Sequence, residues 1–392
     1  MGVTTAVDAK CGVQLSITPI PTPSPIKGEG SFWTSLFSHG IPHSSFFKGA
    51  PMARYDFASD NVAGAMPEVM EALIAANAGT ASGYGTDHVS KAAGDRIRAL
   101  LDADADAEVK FAASGTAANA FALTLLAAPH EAVLAHEHAH ICTDETGAPG
   151  FFSQGGGLIG LPGASGKIAL AGLEAALARP EVSYNQPANA LSLTTATEYG
   201  TVYSEEHLRS LIAPVKAKGY GVHLDGARLA NAVAAGFDLK SVARMGVDIL
   251  VMGGTKAGST PTEAVVFLNP AHARRLDARL KHAGQLVSKG RFLAAPWLGL
   301  LGEDGGTGPW AARAAHANAM AQKLAALMPF QIKHPVEANG IFVEMDEPTL
   351  ERLRGEGWFV YRFLDGTVRF MCSWATTPEM VEDLGAALQR VR

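Results

Sequence analysis

The sequence predicts an α/β fold, in which a mostly parallel sheet is covered by helices and is followed by a smaller α+β segment. Two observations lead to this prediction. Short apolar strands alternate with helical stretches from Met66 to about residue 268, and this alternation is typical of a parallel sheet between two helical layers. In residues 301–392 the alternation changes to three strand-like runs between two long helical stretches, which indicates a second domain.

Apolar residues at helical spacing identify the helices. In the first of them Val69, Leu73 and Ile74 share a face, and Pro67 stands near its N-terminus, where proline is tolerated. The predicted helices are residues 67–76, 89–101, 115–127, 170–178, 205–218, 241–245, 310–327 and 378–391. Short runs of apolar residues are predicted to be strands, at residues 109–112, 132–135, 158–161, 190–195, 221–224, 248–252, 264–268, 341–345, 358–363 and 368–371.

The first part of the chain differs from the rest. Residues 1–51 have prolines at alternate positions within 19–25 and no regular apolar period, which is typical of disordered chain. A second methionine, Met52, precedes the first organised segment. We therefore expect a dispensable N-terminal extension, either a disordered tail or an upstream misreading of the start. The larger domain is predicted at residues 52–300 and the smaller one at residues 301–392.

Composition narrows the class of protein. A formal net charge of −6 offers no basic surface for nucleic acid or anionic lipid. The cysteines Cys11, Cys142 and Cys372 lie far apart, which excludes a disulfide framework and favours a reducing compartment. The most apolar stretch, residues 111–128, is too short and too polar to cross a membrane. No apolar run near the terminus resembles a secretion signal, so we expect a cytoplasmic protein.

Polar residues after strands deserve particular weight, because parallel sheets bind ligands beyond the carboxyl ends of their strands. Ser114, Gly115 and Thr116 follow strand 109–112 and begin a helix. Free N–H groups at a helix N-terminus, together with the two hydroxyls, suit a phosphate. The alternative is an ordinary Ser/Thr helix cap, which is the commoner use of these residues.

Two further strand ends carry an acid and an amine. Asp225 ends a buried strand, and a buried carboxylate needs a cationic or N–H partner. A local pair with Arg228 would also explain it. Lys256 follows a strand and two glycines, beside Thr255. A desolvated lysine amine forms Schiff bases with carbonyl compounds, although most lysines are surface residues.

Together, a phosphate cradle, a carboxylate for a ring nitrogen and an amine for an aldehyde are what pyridoxal 5′-phosphate requires. The chain resembles the fold-type I pyridoxal-phosphate enzymes, and within them the low-specificity L-threonine aldolases. The resemblance covers residues 54–392. The motifs that carry it are Ser59–Asp60, Tyr84–Gly85–Thr86–Asp87, Phe111–Ala112–Ala113–Ser114–Gly115–Thr116, Ala139–His140–Ile141, His223–Leu224–Asp225–Gly226–Ala227–Arg228, Gly254–Thr255–Lys256 and Val368–Arg369–Phe370.

The resemblance implies retro-aldol cleavage of L-threonine, L-allo-threonine or a related β-hydroxy-α-amino acid to glycine and an aldehyde. Lys256 would hold the cofactor, Asp225 would keep its pyridine nitrogen protonated, and His140 would stack on its ring. The phosphate would be bound by Ser114, Gly115, Thr116 and Thr255.

The resemblance also implies how the substrate is held. Ser59, Arg228 and Arg369 would grip its carboxylate, for which the planar arginine fork is suited. Tyr84 and Asp87 would reach across the interface of a homodimer or homotetramer, so that a neighbouring subunit completes the site.

The chain departs from many relatives at two places. Where they have a second histidine after strand 190–195, this chain has Thr195–Ala196–Thr197–Glu198. The catalytic base is therefore His140, Glu198 or a bound water. Where they have an Arg-Gln pair, this chain has Ser288–Lys289, which makes Lys289 a candidate phosphate ligand.

Other functions of the same fold remain open at this point. A phenylserine-type aldolase, a β-eliminating lyase and an aminotransferase need similar residues, whereas a non-enzymatic cofactor-binding protein would not need them all. His136, His138 and His140 alternate and would share one face of a strand, a pattern that can bind a metal. We expect no metal, because neither Glu137 nor the flanking chain offers evident support for a set of metal ligands. His136 and His138 are instead predicted to be partly exposed, and Glu145 could orient His140.

Overall fold

The computed structural model describes residues 54–303 and 306–392, so the predicted extension at residues 1–51 lies outside the described residues. Within the described part, one large sheet has seven strands in the order β1-β7-β6-β5-β4-β2-β3. Its strands are β1 (Glu108–Ala112), β2 (Ala132–His136), β3 (Gly157–Leu161), β4 (Ala188–Thr194), β5 (Gly221–Gly226), β6 (Ile249–Gly253) and β7 (Glu263–Phe267).

Strands β2 to β6 pair in parallel, while β7 is antiparallel to both β1 and β6. The mostly parallel sheet of the prediction is confirmed. In register, Thr194 of β4 lies beside Asp225 of β5, and Gly226 lies beside Met252 of β6. The carboxyl ends of these three strands therefore meet at one edge of the sheet.

Helices cover both faces of the large sheet. The described helices are α1 (Pro67–Ala76), α2 (His88–Leu101), α3 (Gly115–Leu123), α4 (His140–Thr143), α5 (Ala148–Phe152), α6 (Leu170–Leu177), α7 (Glu205–Ala217), α8 (Leu229–Ala234), α9 (Ser241–Arg244), α10 (Leu276–His282), α11 (Arg291–Leu300), α12 (Gly308–Leu327), α13 (Glu347–Gly355) and α14 (Pro378–Val391). The predicted helix over 115–127 ends earlier, and the short helices α4, α5 and α8 were not predicted because too few residues define a period.

The strands at the centre of the sheet are buried on both faces, which explains their continuous apolar sequences. Leu250 and Met252 of β6 pack in one core, with α7 and α8. Ile249 and Val251 point the other way, into a core built on α3. Alternate residues of each strand thus face opposite helical layers.

A small antiparallel sheet follows, with strand order β8-β10-β9 in β8 (Gly340–Val343), β9 (Tyr361–Arg362) and β10 (Val368–Met371). The smaller C-terminal domain that the sequence predicts is therefore present, although the predicted strand over 358–363 is shorter. Phe57, from the start of the described chain, packs in the core of this sheet. The domain boundary at residue 300 stays a prediction, because α12 contacts both α8 and α14.

Across the described residues, none of the helices combines the length and the apolar character needed to span a bilayer.

Candidate active site

Asp225 lies at the carboxyl end of β5 on the face that α3 covers. Alternation along the strand sends Val222 and Leu224 into the opposite core, and Asp225 is 3% exposed. Asn119 of α3 donates its side-chain amide to Asp225 Oδ2 at 2.8 Å, and the Ala227 N–H donates to Oδ1 at 2.9 Å. The carboxylate is therefore held by amide donors, and the alternative of a local pair with Arg228 is wrong.

The same amide group connects Asp225 to His140. Asn119 Nδ2 also donates to Glu145 Oε1 at 2.9 Å, and Glu145 Oε1 lies 2.8 Å from His140 Nδ1. The hydrogen bond to Glu145 raises the pKa of His140, against the effect of burial. Burial in turn raises the pKa of Glu145. The expected orientation of His140 by Glu145 is thus present, through a network that runs from His140 to Asp225.

Asn119 was not predicted as a site residue. It lies in the interior of α3 and is 2% exposed. An isolated polar residue within an Ala-rich helix was the available signal, because a buried amide needs hydrogen-bond partners.

Lys256 lies in the turn that follows β6, where it is half-buried. Close packing requires the two glycines before it. A Cβ on Gly253 would clash with the Ala227 carbonyl, and one on Gly254 would lie 2.6 Å from the Thr262 oxygen. The Lys256 charge lowers the pKa values of both Asp60 and His140, so the amine lies near both groups.

The N-terminus of α3 is the predicted phosphate site. Ser114 is its N-cap, because its Oγ accepts from the Ala117 N–H at 3.2 Å, so the capping alternative is correct for Ser114. Gly115 and Thr116 are the first two residues of the helix, and their N–H groups have no acceptor within it. A Cβ added to Gly115 would meet no atom within 4 Å, so an anion has room to approach.

Thr255 is less suited to a phosphate than the sequence suggests. Its hydroxyl donates to the Thr262 carbonyl at 3.3 Å and accepts from the Thr262 N–H at 3.1 Å. These bonds close the turn between β6 and β7. The predicted role of Thr255 in phosphate binding stays a prediction.

Arg228 is buried and forms a bidentate pair with Asp60. Its Nε donates to Asp60 Oδ2 at 2.7 Å and its Nη2 to Oδ1 at 3.1 Å. Burial alone would raise the pKa of Asp60, but the charges of Arg228 and Lys256 lower it to about 2. Asn339 Nδ2 also donates to Asp60, at 3.1 Å. Arg228 is thus fixed in place by a carboxylate of its own chain.

Arg369 of β10 lacks such a carboxylate. Its Nη2 donates to the Ala58 carbonyl at 3.2 Å, while its buried Nε has no hydrogen-bond partner. Within residues 54–303 and 306–392 no salt bridge involves Arg369. Burial and the nearby Arg228 lower its pKa. Ser59 directly follows Ala58 in the chain, so its backbone lies near the Arg369 guanidinium, and the predicted grip of both residues on a substrate carboxylate stays a prediction.

Glu198 lies in the loop after β4 and is buried. Its charge raises the pKa values of His140 and Arg228, so it lies near both groups. The residue that stands in place of the second histidine is therefore within reach of the site's ionisable groups.

Tyr84, Asp87 and Lys289 are the predicted site residues that would act across a subunit interface. The Tyr84 N–H donates to the Ser288 carbonyl at 3.0 Å, which places the exposed Tyr84 beside the exposed Lys289. Asp87 is the N-cap of α2, accepting from the Ser90 N–H at 2.8 Å and the Ser90 hydroxyl at 2.9 Å. In the described part of the chain, no hydrogen bond or ion pair connects these three side chains to Lys256.

The three alternating histidines do not share a strand. His136 ends β2 and His140 begins α4. His136 is buried, with Nε2 3.0 Å from the Gly163 oxygen, so the expectation that it is partly exposed was wrong. His138 is half-buried, as predicted, and its Nδ1 lies 2.6 Å from the Tyr199 hydroxyl. No cluster of three or more His, Cys, Asp or Glu side chains suited to a metal occurs among the described residues.

The residues present fit pyridoxal 5′-phosphate. Asp225 offers a buried carboxylate for a ring nitrogen, Lys256 offers an amine, and the N-terminus of α3 offers open N–H groups for the phosphate. All three lie at the carboxyl edge of a mostly parallel sheet. The fold and the donor set define a pyridoxal-phosphate-dependent enzyme of fold type I.

Comparison with known proteins assigns the family. The model of the beta-eliminating lyase family matches residues 56–348, and the chain belongs to that family. It is 43% identical over 343 residues to the low specificity L-threonine aldolases of Pseudomonas sp. and Pseudomonas aeruginosa, covering 86% of this chain and 97% of each relative. The solved structure of a Leishmania major threonine aldolase is similar with a TM-score of 0.80 and 30% identity, covering 86% of this chain and all of that one.

Proposed function

We propose that this chain is an L-threonine aldolase, which cleaves L-threonine or a related β-hydroxy-α-amino acid to glycine and an aldehyde. The observation that carries the proposal is the 43% identity to two low specificity L-threonine aldolases over almost their whole length. The donor set at the sheet edge supports it independently, because it supplies each group that cofactor-assisted cleavage beside an amino group requires.

Substrate binding begins with the carboxylate. Among the described residues Arg369 forms no ion pair and its buried Nε has no hydrogen-bond partner, and Ser59 lies one residue beyond its Ala58 contact, so a substrate carboxylate would supply the opposite charge. Arg228 is held by Asp60 through Nε and Nη2, so it adds positive charge from a fixed position. Binding of the carboxylate at this point would orient the Cα–Cβ bond for cleavage.

When bound, pyridoxal 5′-phosphate would accept the electron pair that is left at Cα when the Cα–Cβ bond breaks. Lys256 would supply the amine that attaches it. Asp225 would keep a proton on the ring nitrogen, and the amides of Asn119 and Ala227 hold that carboxylate in place. The first turn of α3 would receive the phosphate.

A base must take the proton of the β-hydroxyl group. Glu145 engages His140 at Nδ1, so in the neutral ring the proton lies on Nδ1 and the lone pair on Nε2. His140 Nε2 is therefore our first candidate for the base, and the buried Glu198 is the second. As the base takes the hydroxyl proton, the aldehyde C=O forms and Cα–Cβ breaks. The protonated base or water then delivers one proton to Cα, which leaves the base deprotonated for the next cycle, and glycine departs.

We further propose a cytoplasmic homo-oligomer, a dimer or tetramer, in which Tyr84, Asp87 and Lys289 act across the subunit interface. The exposure of Tyr84 and Lys289, side by side, supports such a role. An exposed tyrosine with a φ of 61° is unusual for a residue other than glycine.

Product analysis tests the proposed reaction. Purified protein with added pyridoxal 5′-phosphate is incubated with L-threonine, L-allo-threonine and phenylserine, and the aldehyde and glycine are quantified. We expect equal amounts of glycine and acetaldehyde from threonine. The family description favours a β-eliminating lyase as the second candidate, and ammonia with a keto acid in place of glycine would support it. Amine transfer from glutamate to an added keto acid would instead indicate an aminotransferase.

A further inference from the structure

Glu263 is a buried carboxyl that the proposed reaction does not use. It is the first residue of β7, is 6% exposed, and pairs in register with Gly253, the last residue of β6. Its Oε2 accepts from the Gly254 N–H at 2.9 Å. Glu263 therefore lies directly beside the turn that carries Lys256.

The turn does not depend on the charge of this side chain. Thr255 and Thr262 close it with two hydrogen bonds, and Trp310 Nε1 donates to the Gly253 carbonyl at 3.0 Å. A neutral amide oxygen could also accept from the Gly254 N–H. Burying a carboxylate costs free energy. Stabilising this turn does not explain why the chain has an acid at position 263.

The groups around Glu263 indicate what its charge can affect. Its strand neighbours across β1 and β6 are the uncharged Ala112 and Gly253, and α11 and α12 contribute the indoles of Trp297 and Trp310 at this turn. The charges that act on it come from Lys256 and from Asp225 of β5. Lys256 is therefore the cation that a Glu263 carboxylate can stabilise.

The pKa of the Glu263 carboxyl is shifted from its ordinary value. Burial raises the pKa of Glu263 to about 7, and the charge of Asp225 acts in the same direction, while the hydrogen bond from the Gly254 N–H and the charge of Lys256 act to lower it. The carboxyl therefore changes charge near neutral pH.

We propose that Glu263 is a positioning residue that sets the proton affinity of the Lys256 nitrogen in the cofactor-loaded enzyme. Its carboxylate stabilises the protonated nitrogen, because opposite charges nearby favour the charged form. The inference rests on the proposal that Lys256 holds the cofactor. Removing the charge makes that nitrogen lose its proton at a lower pH.

A pH titration of the visible absorbance tests this inference without reference to turnover. The holoenzyme is titrated as wild type, Glu263→Gln, Glu263→Met and Glu263→Asp. We expect both neutral variants to lower the midpoint of the lysine-bound cofactor band by about one pH unit. Glu263→Asp keeps the charge and should remain nearer to the wild-type midpoint. Asp248→Asn, which removes a buried carboxylate immediately before β6, at the end of the strand remote from Lys256, should not move it.

Either neutral variant suffices if the other fails to fold, which thermal unfolding of each protein will show. A wild-type midpoint in a folded neutral variant would overturn the inference, as would an equal shift in Asp248→Asn. A cofactor band that persists in Lys256→Ala would instead contradict the assignment of Lys256, and absence of aldehyde from threonine would contradict only the proposed reaction. The three failures are therefore distinguishable.

Discussion

Two groups of candidate residues differ in how the chain holds them. The strand-edge site, formed by Asn119, His140, Glu145, Asp225 and Lys256, is connected by hydrogen bonds from the imidazole to the carboxylate and lies largely in the interior. The outer segment, formed by Tyr84, Asp87 and Lys289, exposes its tyrosine and lysine and uses its aspartate as a helix cap.

The difference shows which part of the candidate site one chain can arrange by itself. Buried polar groups must find partners within the fold, so the strand-edge site is pre-organised before any ligand binds. Exposed groups have water as a partner and need no fixed geometry. The strand-edge site should therefore control the chemistry, and the outer segment should influence only binding or assembly.

The largest effect should come from Asp225, at the centre of the strand-edge site. We expect Asp225→Ala to lower kcat/KM by about a thousandfold, because removing one pre-organised electrostatic group costs about that much. Steady-state kinetics with saturating cofactor would measure it. A loss below tenfold in a folded protein would mean that Asp225 does not act on the cofactor ring.

A smaller loss should follow from Arg369. We expect Arg369→Leu to lower kcat/KM by about a hundredfold, mainly through KM for the amino acid, because a charge-assisted bond to the carboxylate is lost. Arg362→Leu on the neighbouring strand β9, an exposed arginine paired with Glu347, is the matched control. Equal losses in both variants would contradict a specific role for Arg369.

A substitution at Glu145 tests the role of His140 as the base through the pH dependence of kcat/KM. The Glu145 hydrogen bond raises the pKa of His140, and a base acts only when it is deprotonated. Glu145→Gln should therefore move the acid limb of the kcat/KM profile to lower pH by about one unit, with about a tenfold loss at the optimum. Glu137→Gln, an exposed acid near His140, should leave the limb in place. An upward shift would contradict His140 as the base.

The smallest effect should appear in the outer segment. We expect Lys289→Ala to weaken binding of pyridoxal 5′-phosphate about fivefold, because an exposed lysine contributes about 1 kcal/mol to such a contact. Titration of the cofactor-free protein with pyridoxal 5′-phosphate would measure this change, with the exposed Lys91→Ala as control. A thousandfold loss of kcat in Lys289→Ala would contradict the claim that only the strand-edge site controls the chemistry.

Local sequence motifs allowed the sheet and the main residues of the strand-edge site to be predicted. Lys256 and Asp225 each stand at the end of a readable apolar strand, so strand-end reasoning found these two, whereas His140 was found through the family resemblance. The orientation of β7 was not predictable, because a short strand buried on both faces has the same apolar pattern in either direction. Glu263 was overlooked for this reason, since its place beside Gly253 depends on that antiparallel pairing.

Hydrogen-bond partners that lie far apart in the sequence could not be predicted either. Asp60 and Arg228 are 168 residues apart, and nothing local to either residue indicates their pairing. Asn119 joins Asp225 across 106 residues. Such contacts depend on how helices dock on the sheet, which composition and periodicity do not determine.

The most direct test of the account is the visible absorbance spectrum of the purified protein and of Lys256→Ala, each saturated with pyridoxal 5′-phosphate and freed of excess. We predict a lysine-bound cofactor band in the wild type that changes when L-threonine is added, with release of acetaldehyde in the same cuvette. Lys256→Ala should lack that band and release no aldehyde, whereas Lys289→Ala should keep both. A band retained in Lys256→Ala, or absent from the wild type, would contradict the account.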